Sequence, residues 1–139
     1  MGASVIFETA LLLRAVSPKE VFLYVDKGWI DSPNDAVWET LEEYTIVYDG
    51  TVHTVPEGFI TDLASIPRFM WRMYPPSFPY SREASVVHDY IYRLDYENYS
   101  KKYADDLLRD VMIHQGASDF TAKSFHKAVS WFGKGGWKR

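Results

Sequence analysis

The chain contains no cysteine. That excludes a disulfide scaffold, a thiol nucleophile and any cysteine-ligated zinc or iron–sulfur centre. Apolar runs are short (Ala10 to Leu13 is one), far below the roughly 20 residues of a membrane-spanning helix. The first ten residues lack a basic start and contain Glu8, so no secretion signal is expected. Positive charge is also in deficit. Fifteen Lys and Arg against nineteen Asp and Glu leave a net charge of −4, which argues against a general nucleic-acid binder.

What is plentiful is aromatic surface. Five Trp, ten Tyr and eight Phe make 17% of 139 residues, more ring area than a small core needs, so part of it is expected in a contact surface or pocket wall. The rest of the balance, 47% hydrophobic and 24% charged, is that of a globular domain. The length suits one domain spanning residues 1–139. Within it we expect strands and turns over 1–66, helices over 81–132 and a tail over 133–139.

The two halves differ in charge and in pattern. Residues 1–70 hold 4 basic and 11 acidic side chains, and residues 71–139 hold 11 and 8. In the first half, Val21–Val25 is a β-rich run ended by Asp26-Lys-Gly28. Tyr44–Tyr48 and Thr51–Val55 flank Asp49-Gly50, the strongest short hairpin signal. Gly58-Phe-Ile continues as a short extended piece, and Pro67, Pro75, Pro76 and Pro79 make 67–80 a loop-rich crossing. In the second half, Ser81 or Tyr80 precedes a helix to about Leu94. Ser100 caps a helix from Lys101 to about Gln115, stopped by Gly116, and Ser118 or Asp119 caps a third helix to about Phe132. Small antiparallel strands followed by about three helices, without βαβ alternation, predict an α+β fold.

Chemistry concentrates between residues 57 and 106. On a helix His88 and Tyr92 share a face. The short link at 95–99 makes its helix and the next antiparallel neighbours. Counting along the two helices puts His88 and Asp105 at nearly the same level. A carboxylate on one ring nitrogen fixes the tautomer and leaves the other nitrogen as a base or ligand. Asp89 is then available for a cation, helped by loop oxygens around Gly58–Asp62. Each feature also has a structural reading. His88 serves equally as a core histidine, Asp89 as a salt-bridge partner, and Tyr92 as packing with a bonded hydroxyl. Asp62 serves as a cap, or as a partner of Arg68, Arg82 or Arg93. Asp106 is expected in solvent. His53, His114 and His126 are expected to be surface or structural. Trp71, Tyr74, Phe78 and Tyr80 line a groove or pack a loop, and Trp131, Phe132 and Trp137 anchor the tail or form a docking patch.

The segment Val55-Pro-Glu-Gly-Phe-Ile-Thr-Asp-Leu-Ala-Ser-Ile-Pro-Arg68, the run Ser81-Arg-Glu-Ala with His88-Asp-Tyr-Ile-Tyr-Arg93, the Ser100 to Ala104-Asp105 step and a late Gly-Gly-Trp resemble the family called domain of unknown function 1353. The resemblance covers roughly residues 40–137. It implies a setting in tailed phages, prophages or bacteria, and brings no assigned activity. Locally, His88-Asp89-x-x-Tyr92 followed by a helix with Ala104-Asp105 resembles the catalytic helices of phospholipase A2, particularly the minimal parvoviral form. That likeness implies His88 as general base for a water, Asp89 as a Ca²⁺ ligand and Asp105 as the group that orients His88. The calcium loop of those enzymes is glycine-rich; here only Gly58 stands in the corresponding segment.

Two classes of function follow. One is a virion or tail-associated phage component, located in the particle or the host cytoplasm, whose partners are other phage structural proteins. The other is a hydrolase of phospholipid or cell-envelope esters, Ca²⁺-dependent in the phospholipase image. There His88, Asp105 and Tyr92 are the catalytic candidates, and Asp89 and Asp62 the metal candidates. Neither class calls for a specific nucleic acid.

Overall fold

A computed structural model describes residues 3–30, 32, 35–63, 70–75, 78–133 and 137. Six short strands and four helices follow in order: β1 (Val5–Phe7), β2 (Leu13–Ala15), α1 (Pro18–Asp26), β3 (Trp38–Thr40), β4 (Tyr44–Tyr48), β5 (Thr51–Val55), β6 (Ile60–Thr61), α2 (Arg82–Leu94), α3 (Lys101–His114) and α4 (Asp119–Phe132). The strands form two antiparallel three-stranded sheets, ordered β1-β4-β5 and β2-β3-β6. The fold is α+β, as expected.

The hairpin forms where Asp49-Gly50 predicted it, pairing Tyr48 with Thr51 and Tyr44 with Val55. Both turn residues have positive φ, 48° and 85°, which matches the right-handed twist of the strands they join. Along β4 the side chains alternate, with Tyr44, Ile46 and Tyr48 buried. That buried face packs with α2, α3 and α4 in the main core, through Val86, Val87, Ile91, Leu107, Leu108, Val111, Phe125 and Val129.

Three polar rungs tie this sheet to the helices. The Tyr44 hydroxyl donates to Glu83 at 3.0 Å, the Tyr48 hydroxyl donates to Asp110 at 2.6 Å, and His53 Nε2 meets the Tyr103 hydroxyl at 2.7 Å. His53 is therefore a buried structural histidine.

One element departs from expectation. Val21–Val25 is not a strand but lies within α1, so the helices number four among the described residues. Pro18 occupies the start of that helix, where its missing N–H costs nothing, and Glu20 favours the first turn. Only Val21 is buried, inside a second, smaller cluster with Val16, Ile30, Val37 and Ile60. The remaining helices match. The Ser100 and Ser118 hydroxyls accept from the backbone N–H groups of Tyr103 and Thr121, three residues on. In the proline-rich crossing, Tyr74 and Phe78 pack edge-on or stacked against Phe125. The part of that crossing at 67–69 and 76–77, with Pro67, Arg68 and Pro76, lies outside the described residues, as do Lys134, Lys138 and Arg139 of the tail.

Candidate functional site

The helices α2 and α3 pack side by side, as the six-residue link between them demands, and this brings His88 and Asp105 together. His88 Nε2 donates to Asp105 Oδ1 at 2.8 Å. The Tyr92 hydroxyl, one turn along α2, donates to the same oxygen. The ammonium of Lys101, one turn before Asp105 on α3, donates to Oδ2 at 2.7 Å and to the Val129 carbonyl at 2.9 Å. One carboxylate thus gathers donors from two helices, and Lys101 extends the network to the C-terminal turn of α4.

The electrostatics follow from this wiring. Burial on its own raises the Asp105 carboxyl, but the hydrogen bonds from His88, Lys101 and Tyr92 outweigh it and hold the group below its ordinary range. The Tyr92 phenol is pushed far up by burial and by the Asp105 charge. His88 is 3% exposed, and its ring lies 4.1 Å from that of Tyr92. The tail closes over the other side of Tyr92: Trp137 packs edge-on at 5.1 Å, and a Cβ added to Gly133 would lie 2.8 Å from the Tyr92 hydroxyl.

Asp89 lies apart from this cluster. Its carboxylate accepts from Arg93 at 3.1 Å, one turn on. The same guanidinium donates to the Ile60 carbonyl and lies over the Phe59 ring at 4.5 Å. The loop that sequence reasoning offered as a source of oxygens does reach Asp89. What bridges a loop carbonyl and the carboxylate, however, is the Arg93 side chain. Burial pushes the Asp89 carboxyl up, against Arg93 and Thr61, which pull it down. Asp62 is half-buried in that loop. Among the described residues no three His, Asp or Glu side chains gather as a metal-holding group, and the Arg93 guanidinium stands between Asp89 and the Ile60 carbonyl.

A second polar cluster was not foreseen. Asp106 is not in open solvent: it accepts from His126 Nε2 and from Lys102, each at 2.7 Å, and these bonds outweigh burial to hold its carboxyl below the ordinary range. Asp106 and His126 line a groove of about 390 Å³ between α3 and α4, with Lys101, Lys102, Asp105, Arg109 and Ser130. His88 is not among its lining residues. The i,i+4 spacing of Lys101 to Asp105 and of Lys102 to Asp106 was legible in the sequence. The Asp106–His126 contact, between helices separated by a turn at Gly116, left no local signal.

With this geometry in view, a family model described as protein of unknown function (DUF1353) matches residues 38–129. The match takes in β3 to α3 and most of α4, and every side chain of the Asp105 cluster. No curated protein and no solved structure matches the chain.

Proposed function

The chain belongs to the DUF1353 family of proteins of unknown function, and from that premise we propose that it is a phage or prophage protein built into, or attached to, the virion or tail, with the Asp105 cluster serving to lock its helices. The carrying observation is that the catalytic candidates are spent on one another. Asp105 accepts from His88, Tyr92 and Lys101, and His88 is shut away from the nearby groove. Buried polar groups require such partners whatever their role. The occurrence of the family in phages and bacteria supports the setting, and the aromatic content suits assembly against other particle proteins. The test is mass spectrometry of purified particles from a phage or induced prophage encoding the chain. The protein is expected in the particle at fixed stoichiometry; its presence in the lysate and absence from the particle would refute the assignment.

One observation favours a second reading, a hydrolase of phospholipid or envelope esters. The Asp105 bond is made by Nε2 of His88, which leaves Nδ1 as the proton acceptor a general base needs. In this reading His88 takes the proton from a water, Asp105 and Tyr92 hold the imidazole network, and no step is routed through a metal ion. The assay is release of fatty acid from mixed phospholipid vesicles by wild type, His88→Ala and Asp89→Ala, with and without Ca²⁺. Activity lost in His88→Ala supports it. Equal activity in all three proteins, or none in any, excludes it.

A further inference from the structure

Helix α4 has two faces. Ala122, Phe125, Ala128 and Val129 are buried in the core. On the opposite side stand Phe120, 75% exposed, and Trp131, 65% exposed, with Lys123 and Lys127 exposed between them. At 3.6 residues per turn these four side chains fall within about 80° of arc and span about 16 Å of helix. Lys127 lies over the Trp131 ring at 4.8 Å. The charge of the chain is divided at this helix. Up to Asp119 there are ten basic and nineteen acidic residues; from Phe120 onward there are five basic and none acidic. An otherwise acidic protein thus presents one convex ridge of aromatic rings interleaved with lysines.

We propose that this ridge is a docking surface for an anionic phospholipid bilayer, whichever role the Asp105 cluster plays. The core does not use these side chains, so the fold does not account for them. Protein–protein contacts favour aromatics but are depleted in lysine, whereas Trp and Phe mixed with Lys is the composition that binds at a membrane surface, the rings entering the headgroup layer and the ammonium groups meeting lipid phosphates. A convex helix face also suits a flat bilayer better than an extended peptide, which needs a groove or a sheet edge.

The test is co-sedimentation of the full chain with vesicles of phosphatidylcholine alone or mixed equally with phosphatidylglycerol, at low and high salt. Binding is expected only to the mixed vesicles and is expected to weaken as salt rises. Lys123→Ala with Lys127→Ala should lower the partition coefficient about 30-fold, since each lysine near such a surface contributes roughly 1 kcal/mol. Phe120→Ser with Trp131→Ser should abolish binding, while Phe22→Ser, exposed on α1, should leave it unchanged. All these positions are exposed, and an unchanged melting temperature will verify that the variants fold. No binding of wild type to the mixed vesicles overturns the proposal, as does wild-type binding by the α4 variants at Lys123 and Lys127 or at Phe120 and Trp131. Capture on immobilised polyglutamate as strong as on the vesicles also overturns it and assigns the ridge to an acidic protein.

Discussion

Asp105 accepts from three side chains on two helices, and its loss removes the acceptor of all three at once. Breaking a buried ion pair by removing one partner costs about 3–5 kcal/mol. Asp105→Ala is therefore expected to lower the unfolding free energy by about 3 kcal/mol or more in urea titration. Tyr92→Phe removes one donor and leaves the carboxylate two others, so its cost is expected near 1 kcal/mol. Equal effects of the two substitutions would show that Asp105 is not the hub. At this scale the sequence was partly legible. The level of His88 against Asp105 follows from helix rise and a short link, and the structure makes that bond. Asp89 and Asp106 were harder to place, because the partners that decide their surroundings, the Ile60 carbonyl beside Arg93 and the ring of His126, come from distant parts of the chain.

At the scale of elements, legibility follows how local the stabilising interactions are. The hairpin, α3 and α4 carry their own turn and cap signals, α2 begins after Ser81 without a side-chain cap, and all four appear where predicted. The run at 21–25 has β-branched and aromatic residues but no strand neighbour. A proline start and a single buried valine were enough to make it helical, since β-propensity reflects packing on a sheet rather than a backbone preference. Two substitutions probe the elements that hold the cluster. Ser100→Ala removes the acceptor for the Tyr103 N–H and is expected to cost about 1 kcal/mol, read from the urea midpoint at constant slope. Gly133→Ala places a methyl group 2.8 Å from the Tyr92 hydroxyl. That hydroxyl is fixed by Asp105, so the tail or the tyrosine must shift. The expected result is lower stability, with the loss much reduced when Tyr92→Phe is already present. Additive costs would mean that Gly133 and Tyr92 act independently.

For the whole molecule, the polar groups that join sheet to helices and helix to helix set limits of stability at both ends of the pH scale. Asp105 and Asp106 are held below the ordinary carboxyl value of 3.8. Between their native and unfolded values the unfolded chain binds more protons, so stability is full above about pH 4 and falls as pH drops through the native values. Asp89, raised by burial, acts in the opposite sense and offsets part of that loss. At the other end, burial raises the Tyr44, Tyr48 and Tyr92 phenols, each facing a carboxylate, above their ordinary 10.0. The unfolded chain then releases protons that the native state retains, so stability declines as pH rises past 10. Urea titrations across pH should give a plateau with two falling limbs. Asp105→Asn should flatten the acid limb and, by removing the charge that helps raise the Tyr92 phenol, soften the alkaline one, whereas Tyr48→Phe should flatten the alkaline limb and leave the acid one. An acid limb unchanged in Asp105→Asn would mean that its carboxylate is not held ionised by His88, Lys101 and Tyr92, and the helix lock would have to rest on apolar packing alone.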